Sequence, residues 1–183
     1  MNSRDLVFID VETTGLDPEK HDIIEIAWII TSADAERIKE RYTMRMLPTR
    51  PENAEPKALE INGYSEAKWR ASELAQPNEV AKAVAAATAD RILVGQNVSF
   101  DEGFIKALLK RFEITPRWRY HKVDTVALAW PALSEGSLEG ASLEKLCAYF
   151  SIPQPVKHEA MADVMSCYNV YRAMMRKYAP LFH

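Results

Sequence analysis

Leu6-Val7-Phe8-Ile9-Asp10-Val11-Glu12-Thr13-Thr14-Gly15-Leu16 is the stretch on which the fold turns. Leu6 to Val11 is apolar with a β-branched bias, the pattern of a strand buried on both faces. Thr13 to Pro18 then supplies turn chemistry. Side chains at i and i+2 share one face of a strand, so the carboxylates of Asp10 and Glu12 converge. Two anions beside a buried strand are costly unless a positive charge lies between them. A hard divalent cation with oxygen ligands answers that demand. Taken alone, D-x-E is common, and a strand ending in solvated acids describes it as well.

Working outward, Ile23 to Thr31 is a second apolar run and Tyr42 to Leu47 an alternating third, an antiparallel meander at this spacing. Pro48 to Pro56 reads as a polar connection, and Ser65 to Ala75 and Glu79 to Ala89 as helices. After Asp90 the rhythm changes. Ile92-Leu93-Val94 is a buried strand, followed by a helix from Phe100 to Phe112 and a fifth strand ending at Val123. A helix from Asp124 to Trp130 is curtailed by Pro131, and helices follow over Ser142–Phe150 and Glu159–Tyr178. This order matches an α/β, ribonuclease H-like fold: a central mixed five-stranded sheet, three antiparallel strands then two further parallel ones, flanked by helices. No repeat or linker interrupts it, so residues 1–183 are expected to form one domain.

The charge balance is 23 Lys+Arg against 26 Asp+Glu, a net of −3. That acidity argues against a protein that grips nucleic acid by bulk charge. It admits an enzyme that holds a few nucleotides while metal ions neutralise local acid. Cys147 and Cys167 are in no metal-ligand pattern and read as core thiols of a reducing compartment. The start of the chain carries no signal-peptide pattern and no apolar run reaches the length of a membrane span. A cytoplasmic location and no membrane partner are therefore expected.

Two further motifs change the weight of the first. Val94-Gly95-Gln96-Asn97-Val98-Ser99-Phe100-Asp101 presents N-x-x-F-D at the mouth of a helix, and His158-Glu159-Ala160-Met161-Ala162-Asp163 presents H-x-x-x-x-D. With Phe8 to Leu16 they resemble, in order, the three motifs of the DEDD superfamily of 3′–5′ exonucleases, in its histidine-bearing (DEDDh) branch. Within it the chain is similar to the proofreading epsilon subunits of bacterial DNA polymerase III. The resemblance implies two divalent ions, Mg²⁺ or Mn²⁺, at an all-oxygen site. It implies Asp10 as the bridging ligand, Glu12 and Asp163 on the nucleophile side, and Asp101 on the leaving-group side. His158 is the natural general base, because imidazole titrates near neutral pH. A separation of five would put His158 and Asp163 on different faces of one helix, so His158 belongs on the loop before it.

The same resemblance assigns Thr13 to hold the terminal nucleotide and Leu16 to pack against a base. Ala58 to Gly63 resembles the segment that contacts the last nucleotide, making Ile61 and Asn62 candidates, although histidine is frequent where Asn62 stands. Phe100 either stacks on a base or anchors its helix. The implied reaction releases nucleoside 5′-monophosphates from single-stranded 3′ ends, DNA favoured over RNA, with a polymerase or repair complex as the kind of protein partner. The alternatives are an RNA-directed exoribonuclease of the same superfamily and a non-catalytic ribonuclease H-like binding module. The last is expected to have lost acids that are all present here.

Several residues read as structural. Glu25, an acid in an apolar run, is expected in an ion pair or at an edge, and Asp124 as a helix N-cap. Asn97 is expected to cap or orient its loop, and Gly15 to serve the turn. His21, His121 and His183 are expected at the surface. Lys110, Arg111, Arg117, Arg119 and Lys122 read as a solvated face, or as a track for the substrate backbone. Met161, Val164, Met165 and Tyr168 read as core.

Overall fold

The computed structural model describes residues 5–154 and 159–178. Strands β1 (Leu6–Thr13), β2 (Ile23–Thr31) and β3 (Ile38–Arg45) form the meander, and β4 (Ile92–Gly95) and β5 (Lys122–Asp124) complete the sheet. The spatial order is β3-β2-β1-β4-β5. The β1–β2 and β2–β3 pairs are antiparallel, and β1–β4 and β4–β5 are parallel. This is the mixed, ribonuclease H-like sheet expected from the order of apolar runs.

The two faces of the sheet are covered by different helices. Val7, Ile9 and Val11 share a cluster with α3 (Pro77–Thr88) and α4 (Val98–Arg111), through Val84, Phe104 and Leu108. Leu6 and Phe8 point the other way, against Val164, Tyr168 and Tyr171 of α8 (Ala160–Tyr178). The two-residue period of β1 therefore places Asp10 and Glu12 on the α8 face. A third cluster joins the C-terminal half of α8, through Val170 and Met174, to the small helices α5 (Thr125–Leu128), α6 (Trp130–Ser134) and α7 (Leu143–Tyr149). Met161 and Met165 pack against the α8 cluster, as expected of that stripe.

Some boundaries depart from the sequence expectation. The third strand begins at Ile38 and ends at Arg45, because β3 is an edge strand whose first six residues are exposed, with Lys39, Glu40 and Arg41 carrying no apolar signal ahead of Tyr42. Pro56 opens a helix, α1 (Pro56–Ile61), where its missing N–H costs nothing. The helix expected over Ser65–Ala75 contracts to α2 (Glu66–Arg70), capped by Ser65, whose hydroxyl accepts from the Lys68 N–H. Pro131 stands in the first turn of α6, so it starts a helix as well as separating it from α5. Asp124 does cap α5, its carboxylate accepting from the Val126 N–H at 2.9 Å. Both cysteines are buried free thiols. Among the described residues no helix is long and apolar enough to cross a membrane.

Candidate active site

The site opens where β1 outruns its parallel neighbour. Pairing with β4 stops at Phe8, while β1 continues to Thr13. The Val11 N–H is thereby free for a side chain, and Asp101 of α4 takes it through Oδ1 at 3.0 Å. Asp101 is 3 % exposed, so a second helix delivers a buried acid to the end of the central strand. From the opposite face, the first turn of α8 delivers Asp163. Asp10, Glu12 and Asp163 each offer a carboxylate oxygen, and these oxygens lie within 4.8 Å of one another. Asp101 stands beside this group and is not among its three members.

The electrostatics follow from that crowding. Burial, then the charges of Asp163 and Glu25, push the Asp10 carboxyl up to about 8. Burial, then Asp10, Asp163 and Glu25, push Glu12 to about 9. Burial and the Asp10 charge also hold Asp101 well above the ordinary carboxyl range, against the opposing hydrogen bond from Val11. The charges that push Asp10 and Glu12 up are all carboxylates among the described residues, which favours protonated acids in the metal-free site. A divalent cation would displace them, and an all-carboxylate donor set suits a hard ion with oxygen coordination. Glu25 itself is a structural acid, as expected: it is buried opposite Glu12 and accepts from Arg45 Nε at 3.1 Å.

A cavity of about 390 Å³ adjoins the carboxylates, and Glu12, Thr13, Leu16, Ile61, Asn62 and Phe100 all line it. The sequence therefore selected residues that the fold does gather. Their exposures differ. Leu16 is 74 % exposed and Ile61 48 %, leaving apolar surface open at the rim. Asn62 is buried and its amide is engaged internally, donating to the Thr13 carbonyl at 3.0 Å and accepting from the Tyr64 N–H at 3.1 Å. Phe100 packs toward the core against Phe104, ring centroids 5.0 Å apart, while still facing the cavity. Lys57, on α1, also lines the cavity and supplies a cation that nothing in its local sequence marks.

The turn after β1 is held by a dense polar lattice. Thr14 exchanges two hydrogen bonds with the Asp22 backbone: its N–H donates to the Asp22 carbonyl and its hydroxyl accepts from the Asp22 N–H, both at 2.9 Å. The Asp22 carboxylate accepts from the Thr49 and Arg50 N–H groups, each at 2.7 Å, and pairs with Arg111 at 2.7 Å. His21 is 6 % exposed, against the expectation of a surface residue. Its Nδ1 accepts from the Asp17 N–H at 2.9 Å, and its Nε2 lies 3.4 Å from Glu55. The ring closes over Gly15, where an added Cβ would meet it at 2.6 Å. Gly15 is thus needed for this close approach; Gly63 and Gly136 are the glycines with positive φ.

Two other expectations carry alternatives, and the fold narrows both. Asn97 sits at φ 59°, ψ 47°, a left-handed conformation that asparagine tolerates, and its side chain makes no cap. It orients the loop through its backbone N–H, which donates to Asp124 at 3.0 Å. The basic run is tied into the fold: Arg111 to Asp22, Lys110 to Glu19, Arg117 to Asp90 and Lys122 to Glu102. Arg119 donates to the Asp90 carbonyl at 2.8 Å. That favours a solvated structural face over a substrate track. His121 is exposed as expected; His158 and His183 lie outside the described residues.

The exonuclease family model RNase_T matches residues 7–171. The chain belongs to this exonuclease family. It is accordingly a 3′–5′ exonuclease, a nucleic-acid hydrolase dependent on divalent metal. Among curated relatives, Ribonuclease T of Marinobacter nauticus is 28 % identical over 192 residues, covering 96 % of this chain and 84 % of the relative. Ribonuclease T of Shewanella sp. (strain MR-4) is 30 % identical over 186 residues, covering 91 % and 82 %. Among solved structures, an exonuclease I superposes with a TM-score of 0.85 at 23 % identity over 97 % of this chain. E. coli exonuclease I in complex with a dT13 oligonucleotide gives 0.80 at 21 % identity, again over 97 %. This exonuclease spans 42 % of either exonuclease I chain, and at those identities the likeness is one of fold.

Proposed function

We propose that this chain removes nucleoside 5′-monophosphates one at a time from single-stranded 3′ ends. The observation that carries the reading is the convergence of Asp10, Glu12 and Asp163 beside a cavity that Thr13, Leu16, Ile61, Asn62 and Phe100 also line. Asp10, Glu12 and Asp163, with Asp101, are the residues that would hold two divalent cations, Mg²⁺ or Mn²⁺. When bound, such ions neutralise charge on the phosphoryl oxygens and make water a usable nucleophile near neutral pH. The protein's own part is placement. Leu16 and Phe100 give apolar surface to the last base, and Thr13 and Asn62 set the shape of the pocket wall. Asn62 acts by buttressing Thr13, since its amide is already engaged. His158, outside the described residues, accepts the proton of the attacking water. The bond from phosphorus to the 3′-oxygen breaks, the bond from phosphorus to the water oxygen forms, and the departing 3′-oxygen takes a proton from solvent, leaving the shortened strand with a 3′-hydroxyl.

The polymer read as favoured is DNA, on the resemblance of residues 58–63 to a DNA-proofreading segment. A second reading, RNA, is supported by the curated relatives that bear the name Ribonuclease T. Matched 5′-labelled DNA and RNA oligonucleotides, digested with Mg²⁺ or Mn²⁺ and sized, separate the two. A ladder shortening from the 3′ end is expected on DNA, with slower loss of RNA. Faster digestion of RNA would overturn the DNA preference, and cleavage of a circular single strand would overturn the exonuclease reading of the pocket.

A further inference from the structure

Asp163 reaches the site from the first turn of α8, and its carboxylate torsion is a broad one that the backbone does not fix. Gln154, on the connection from α7, donates from Nε2 to Asp163 Oδ1 at 3.1 Å. The other amide atom, Gln154 Oε1, is buried and has no hydrogen-bond partner among the described residues. Turning the amide over would set its oxygen against the carboxylate, so the donor orientation is the one electrostatics favour. The amide thus keeps a bond to an acid of the cluster while its own oxygen has no partner among the described residues.

We propose that Gln154 is a positioning residue for the divalent-metal site: it holds one oxygen of Asp163 and so fixes the angle at which the carboxylate meets Asp10 and Glu12. The proposal rests on Asp163 being a metal ligand. Partners that orient ligating carboxylates carry about 10- to 100-fold in metal affinity or activity. The bland reading is that Gln154 only staples the α7–α8 connection to α8. The two differ in what they move. A staple changes thermal stability, whereas a positioning group changes metal affinity in a folded protein.

The test uses the full chain with Gln154→Leu and Gln154→Met, each of which removes the donor without adding charge, methionine keeping the unbranched length of the side chain. Mn²⁺ affinity is measured by isothermal titration, beside the metal-free Tm and kcat and KM on a single-stranded oligonucleotide. Both variants are expected to bind Mn²⁺ about 10- to 100-fold more weakly. KM for the oligonucleotide should hold, and raised Mn²⁺ should restore most of kcat. Unchanged Mn²⁺ affinity in a folded variant overturns the proposal, as does a rise in KM alone. If Gln154→Leu does not fold, Gln154→Met decides by the same criterion. Asp163→Asn is run in parallel. Should it bind Mn²⁺ like the wild type, the ligand assignment itself is wrong; should it alone lose affinity, only the role of Gln154 is.

Discussion

Replacing Asp22 by alanine tests how firmly the turn behind the metal cluster is built. The side chain is 4 % exposed and accepts from the Thr49 and Arg50 N–H groups, the Thr49 hydroxyl and Arg50, with Arg111 2.7 Å away. In Asp22→Ala the two backbone donors lose their acceptor, at about 1–3 kcal/mol each where water cannot reach them. Arg50 and Arg111 are 28 % and 32 % exposed, so they can turn into solvent and add less than a fully buried cation would. The total is about 3–4 kcal/mol, at the lower end of the range for breaking a buried ion pair. For a chain of this length that lowers Tm by roughly 6–16 °C. Asp22→Asn retains one acceptor oxygen and should cost roughly half as much. Thermal and urea denaturation of metal-free protein measure both. Thr14 is bonded to the backbone carbonyl and N–H of Asp22, which alanine retains, so exonuclease rate should hold below the unfolding temperature. A loss under about 1 kcal/mol in Asp22→Ala would refute the reasoning, since single exposed contacts already reach that.

The acid cluster sets a pH dependence whose sign is fixed. Asp10 and Glu12 are raised to about 8 and about 9 in the fold, so their stabilising effect is complete below the ordinary carboxyl range. It is lost as pH climbs through the raised values, because the folded state must then give up protons that the unfolded chain has already lost. Metal-free Tm should therefore fall between pH 5 and pH 9, Asp10→Asn should flatten that fall, and Mn²⁺ should bind more tightly at higher pH; a level Tm over the window contradicts this. Gly15→Ala forces a methyl against the His21 ring and should cost about 1–3 kcal/mol with a raised KM. Gly15→Ala combined with His21→Ala should recover part of both, and a simple sum of the two single losses would show that the ring is not the obstacle. His158→Ala should lower kcat by about 10²–10⁴-fold with Mn²⁺ affinity unchanged in titration. Proportional loss of metal binding would make His158 a ligand.

The parts of the fold that can be read from sequence are those where burial is one-sided or complete. Ile23 to Thr31 announces β2 because all nine residues are buried. The i, i+2 spacing puts Asp10 and Glu12 on one face of β1, while the packing of α8 on that face is legible only in the fold. Edge strand β3 hides because Lys39, Glu40 and Arg41 face solvent, and solvent exerts no apolar selection. Residues held by long-range contacts hide too. His21 looks like a loop histidine until Gly15, Asp17 and Glu55 close around it. The basic run from Lys110 to Lys122 looks like a patch until its acids arrive from Asp22, Asp90 and Glu102. Gln154 carries no motif at all, and only its distance to Asp163 marks it.

The most direct test of the metal-site assignment is a timed digestion of a 5′-labelled single-stranded DNA by wild type and Asp10→Asn at the same Mn²⁺ concentration. A ladder retreating from the 3′ end is expected for the wild type, none without metal, and none above background for folded Asp10→Asn. A ladder from Asp10→Asn at the wild-type rate would contradict the assignment.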